Sequence, residues 1–153
     1  MMPVPPLSVP LQKLDDGLPV PSYAYAGDGG VDLRSVGRFE LPPFERVLVP
    51  CGIAIAVPEG HAGLVIPRSG LAIKHGITLV NAPGLIDSNY RGEIKAILMN
   101  LDPKKTFSIE RGDRIAQLVI IRIPSVSFMP CDDLSQTDRG EEGFGSSGIS
   151  SPL

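Results

Sequence analysis

The chain has 153 residues, enough for one domain with a real core and short for two. A formal net charge of -3, with acids and bases mixed along the chain, provides no basic face for binding nucleic acid through its phosphates. No apolar run approaches the roughly 20 residues that span a bilayer, so neither membrane nor nucleic acid is an expected partner. The first residues lack a charged stretch followed by an apolar one, and a cytoplasmic location is expected. With 17 glycines, 16 prolines and no tryptophan, turns are many and the core falls to Ile, Leu, Val and Ala, whose β-branched share favours strands. Cys51 and Cys131 lack a C-x-x-C spacing and, with only His61 and His75 beside them, read as free thiols, not a zinc site.

Residues 1–21 are proline-rich and predict an extended lead-in or an edge strand. At 26–33 a glycine-rich turn runs into a strand with a carboxylate, Asp32, near its start. Such oxygens suit a hard cation, although Asp-Gly pairs are also ordinary turns. β-Type runs then recur at 46–49, 52–57, 63–66, 77–80, 93–99, 114–123 and 126–128, a spacing that argues a sandwich, barrel or jelly roll. One short helix is predicted over 69–75, with Ser69 as N-cap and Gly76 just past its end.

Arg68, Ser69 and Gly70 sit where a strand gives way to that helix. Free backbone N–H groups, the positive end of the helix dipole and the arginine together favour phosphate. A capped helix with an exposed arginine explains the same residues equally well. Pro83-Gly84 fits the centre of a type II turn joining two strands, so that Asn81 and Asp87 flank one hairpin. Asparagine and open backbone edges suit the reading of a nucleobase, and Tyr90 suits a sugar, though a plain polar hairpin has the same composition. Arg111-Gly112-Asp113 is a tight turn feeding the strand from Ile115, where Gln117 is a candidate ligand-facing residue. After Pro130 little can be buried, and Arg139, Phe144, Ser146 and Ser147 lie in a glycine-rich tail that could close over a nucleotide or serve only as a linker.

In order and combination, residues 26–35, 67–77, 81–94, 111–118 and 139–148 resemble the five signature motifs of the homotrimeric dUTPases. The resemblance covers about residues 17–148. It implies an all-β, jelly-roll-like barrel or sandwich with one short helix, of the β-clip kind, assembling as a homotrimer. It divides the chain into a β domain at 1–132, with an extended leader at 1–16, and a glycine-rich arm at 133–153 that closes over a neighbour's site. It implies hydrolysis of dUTP to dUMP and pyrophosphate with Mg2+, Asp87 acting as the base that activates water.

The same resemblance implies that Asn81, Leu85, Ile86 and Asp87, with Lys95, read the uracil edge, and that Tyr90 packs on deoxyribose. Phosphates fall to Arg68, Ser69, Gly70 and Gln117, helped by Arg139, Ser146 and Ser147 from the arm, where Gly145 also lies in the site and Phe144 is placed to stack on the base. Asp32 is implied to act on the metal indirectly, through water, or to order its neighbours. A dCTP deaminase shares fold and phosphate site but is expected to lack the complete third motif and arm. A trimeric, nucleotide-dependent binding or signalling protein that retains the motifs is the reading from another class.

Overall fold

A computed structural model describes residues 6–144. The fold is all-β and antiparallel with one short helix, as the sequence predicts. Eleven strands follow in order: β1 (Leu11–Lys13), β2 (Val31–Arg34), β3 (Phe39–Leu41), β4 (Arg46–Pro50), β5 (Ile53–Ile55), β6 (His61–Ile66), β7 (Ile77–Leu79), β8 (Gly84–Ile86), β9 (Lys95–Asn100), β10 (Phe107–Ile109) and β11 (Arg114–Arg122), with α1 (Ser69–His75) between β6 and β7. The largest sheet runs β2-β11-β6-β8, a three-stranded one β4-β9-β7, and two ribbons pair β1 with β5 and β10 with β3. No helix among the described residues is long and apolar enough to cross a membrane.

Alternation along each strand builds the core. β9 turns Ala96, Leu98 and Asn100 inward and leaves Lys95 outside, the period-2 pattern of a half-buried strand. In β11 a register shift between Arg114 and Ala116 lets Ile115 and Ala116 both be buried, as a bulge allows. Leu33, Leu41, Val49, Ile77, Ile94, Leu98 and Ile109 meet in one cluster fed by every sheet. Asn100 is fully buried among them because its polar atoms are all used. Its Nδ2 donates to Leu41 O (2.9 Å) and Lys105 O (2.8 Å), and its Oδ1 accepts from Asp102 N (2.8 Å).

Four local expectations change. Ser69 is the first helical residue and not the cap: Arg68 holds the N-cap position in an extended conformation, and no side chain caps the helix. Gly84 lies in β8 and outside the left-handed region that a type II turn requires of its third residue, and the Ala82–Pro83 peptide is cis. Asn81 and Asp87 therefore do not flank a two-strand hairpin. β7 pairs with β9, while β8 crosses to pair with β6 in the other sheet. Residues 126–128 form no strand; Val126 and Phe128 are exposed, since no neighbouring strand offers them a ladder. β3 and β10 are not expected from the sequence; they pair with each other across a long stretch of chain, and no local signal announces them.

The C-terminal glycine of α1 and the Arg-Gly-Asp turn follow expectation. Gly76 is left-handed (φ 66°) and its N–H returns to Ala72 O at 3.0 Å. Gly112 (φ 86°) supplies the positive φ of a tight turn closed by Asp113 N to Glu110 O at 3.1 Å. Cys51 is buried and Cys131 exposed, and both are free thiols.

Candidate active site

Strand register brings two of the expected phosphate-binding side chains, Arg68 and Gln117, together with Asp32. Gln117 on β11 lies opposite Asp32 of β2 on one side and Ile66 of β6 on the other. Directly opposed residues share a face, and Arg68, two residues beyond Ile66 in extended chain, returns to that face. Asp32, Gln117 and Arg68 accordingly line one cleft of about 290 Å³, with Tyr25, Asp28 and Arg114 around them. Ser69 and Gly70, exposed at the start of α1, follow Arg68 with first-turn amides that have no partner within the helix.

Asp32 sits between two guanidinium groups. Arg68 Nε lies 2.9 Å from its Oδ1, and Arg114 Nη1 3.7 Å from its Oδ2. The Arg68 N–H does not point along the shorter contact, so Oδ1, although buried, accepts no hydrogen bond. Arg68 Nη1 instead donates to Arg114 O at 3.1 Å, which fixes the guanidinium across the cleft. The sequence reading missed Arg114. It opens β11 as an ordinary exposed cation, and only the bulge and the β2–β11 register bring it to Asp32.

Of the expected base-reading residues, Leu85, Ile86, Asp87 and Lys95 line a second cleft, of about 260 Å³, with Tyr90 and Glu93; it shares no residue with the first, and Asn81 does not line it. Its rim is a fastened turn. Tyr90 N donates to Asp87 O at 3.1 Å, Arg91 Nη1 to Ser88 O at 2.7 Å and Tyr90 O at 2.9 Å, and Tyr90 Oη to Glu93 O at 3.0 Å. Glu93 Oε1 accepts from Gly52 N at 2.9 Å, tying the turn to the core. Sequence alone singled out neither Glu93 nor its anchor, 41 residues away in the chain. Beneath it the Cys51 thiol is pushed up to about 12, first by burial and then by the charge of Glu93, which leaves it protonated and unreactive.

Asn81 is exposed one residue past the last β7–β9 bond, Val80 N to Ile97 O at 2.9 Å, with its amide over Gly84. Arg139 Nε turns back to Glu142 O at 2.9 Å, and Phe144 is fully exposed; neither lines either of these two clefts. Gly145, Ser146 and Ser147 lie outside the described residues.

The two clefts stand at opposite ends of β6. Ile86 pairs with Gly63, so Asp87 continues toward Ala62, whereas Arg68 follows Ile66 at the far end. Six residue steps at ~3.3 Å each separate them by about 20 Å along the sheet. One chain cannot bring its own Asp87 and Arg68 to the same small anion.

The sequence model of a family described as dUTPase matches residues 16–148. The chain is 52% identical over 141 residues to the deoxyuridine 5'-triphosphate nucleotidohydrolase of Corynebacterium efficiens, covering 92% of this chain and 78% of that protein. It is 57% identical over 129 residues to the protein of the same name from Bifidobacterium longum, covering 84% and 82%. Among solved structures, the dUTPase of Staphylococcus bacteriophage 80alpha with dUpNHpp superposes with a TM-score of 0.84 at 28% identity, covering 93% of this chain and 99% of that one. With most of its length matched by the family and half its residues shared with such relatives, the chain belongs to the dUTPase family.

Proposed function

We propose that this protein hydrolyses dUTP to dUMP and pyrophosphate, keeping uracil out of DNA and supplying dUMP for dTMP synthesis. The observation that carries this reading is the cleft in which Asp87 stands beside Tyr90 and Lys95 on a turn fastened to the core. Asp87 orients and deprotonates a water for in-line attack on the α-phosphorus, and pyrophosphate leaves; a positioned general base contributes about 10²–10⁴ in rate. Asn81, Leu85 and Ile86 read the uracil edge with Lys95, and Tyr90 covers the deoxyribose. A site shaped to that edge rejects a mismatched base by roughly 10⁴–10⁵, because buried polar groups would be left unpaired.

The triphosphate falls to Arg68, Ser69, Gly70 and Gln117. Asp28 and Asp32 balance Arg68 and Arg114 in that cleft, so it holds no surplus positive charge for a polyanion. The remaining charge comes from magnesium travelling with the phosphates and from Arg139 of an arm whose Gly145, Ser146 and Ser147 add hydrogen bonds and whose Phe144 stacks on the base. Asp32 fits an indirect role at the ion, through metal-bound water or by ordering Arg68 and Arg114, which stand 2.9 Å and 3.7 Å from its two carboxylate oxygens. Bound there, magnesium would neutralise phosphate charge.

The separation of Asp87 from Arg68 within one chain supports a homotrimer with sites shared between copies: the β domain at 1–132 would supply both walls to different neighbours, and the arm at 133–153 would close them. A pool nucleotide as substrate suits a cytoplasmic enzyme.

The test incubates purified protein and Mg2+ separately with dUTP, dCTP, dTTP and UTP, following pyrophosphate and ammonia. Pyrophosphate from dUTP alone is expected. Ammonia from dCTP would identify a deaminase instead, and no turnover of any nucleotide would favour a binding protein.

A further inference from the structure

Gly92 stands beside Tyr90 on the fastened turn, and its reason for being glycine is not its backbone. Unlike Gly76 and Gly112, its φ lies outside the left-handed region, so an L-residue could adopt the same conformation. What forbids a side chain is the tyrosine ring. A Cβ at Gly92 would run into Tyr90 Oη and would meet Cζ at 2.6 Å and Cε2 at 3.0 Å, contacts that require one side to move. The backbone that follows Gly92 is anchored to the core, by Gly52 N donating to the Glu93 side-chain Oε1 and by Ile94 N donating to Ile53 O at 2.8 Å. Tyr90 is 42% exposed and tethered at its tip only by Oη donating to Glu93 O at 3.0 Å. The ring, as the less restrained partner, gives way.

We infer that Gly92 is a positioning residue for sugar discrimination: by lacking a side chain it lets the tip of the Tyr90 ring lie against the backbone at Gly92, and that placement sets how closely a 2'-substituent can approach. This rests on the proposed role of Tyr90 at the deoxyribose. Arg91, which staples the turn through Ser88 O and Tyr90 O, keeps the backbone under the ring in place, so an alanine at 92 displaces the ring and not the turn.

The test measures kcat/KM for dUTP and for UTP in the wild type, Gly92→Ala, Tyr90→Ala and the double variant. Circular dichroism and the midpoint of urea unfolding show that each folds. The expected result is a dUTP/UTP ratio at least ~10-fold lower in Gly92→Ala, approaching that of Tyr90→Ala. In the Tyr90→Ala background the Gly92→Ala change should alter the ratio less than ~twofold, because coupled residues are not additive. A ratio unaffected by Gly92→Ala but collapsed by Tyr90→Ala overturns the inference while sparing the sugar contact; so do losses that multiply in the double variant. A ratio unaffected by Tyr90→Ala overturns the sugar contact itself and the role of Gly92 with it. A Gly92→Ala chain that does not fold also contradicts the inference, since the ring is expected to yield before the backbone.

Discussion

Asp87 and Asn differ by one ionisable oxygen, and that difference isolates base chemistry from binding. Asp87 lies on the cleft rim, where its N–H partners belong to the turn and not to its side chain. Asp87→Asn should still bind dUTP, read by calorimetry, and lose about 10²-fold or more of kcat; turnover within a few-fold of wild type would remove it as the base. Asp15 makes a separate prediction about stability. Two hydrogen bonds from Arg111, 2.5 Å and 2.7 Å, and one from Gly17 N hold its carboxyl near 2 against an ordinary 3.8, outweighing the upward pull of burial. A carboxyl depressed in the folded state stabilises fully above its unfolded value and loses that contribution as pH falls from 3.8 toward 2. Asp15→Asn should therefore show a shallower fall in the urea midpoint across that window than wild type, and parallel curves would contradict the pairing.

Elements differ in how openly the sequence announces them. The helix over 69–75 was legible because Gly76 and the basic Lys74 and His75 mark its end; its start was misread by one residue because Ser69 looks like a cap, and only the conformation of Arg68 decides otherwise. Gly76→Ala would force a side chain into the left-handed region, with its Cβ 3.1 Å from Asp102 N, and should cost about 1–2 kcal/mol in urea unfolding. No loss would mean that the helix ends elsewhere. Long strands such as β9 and β11 were legible from their length and apolar content, whereas β3 and β10 were not, since their pairing joins positions 39–41 to 107–109 and no local signal announces it. Motif segments pointed to Arg68, Gln117 and Asp32 one by one. Their convergence needed the β2–β11–β6 register, and so did the discovery of Arg114 as a second cation at Asp32.

At the scale of the whole molecule, the decisive feature is that the Asp87 cleft and the Arg68 cleft are separate in one chain, at opposite ends of β6. The sequence hid this because Asp87 and Arg68 are only 19 positions apart in numbering, close enough to suggest one local site. Exposed Val126, Phe128, Met129 and Leu134 leave the body after β11 with apolar surface uncovered, which fits an arm that lies on another copy. Mixing two inactive variants addresses the division directly. Asp87→Asn and Arg68→Ala chains, each with little turnover alone, are unfolded together in equal amounts and refolded, and mixed oligomers are verified by native mass spectrometry. If each site takes its Asp87 wall from one copy and its Arg68 wall from another, random assembly restores about a quarter of wild-type dUTP turnover. Verified mixed oligomers that remain as inactive as the two parents would contradict a site built across chains.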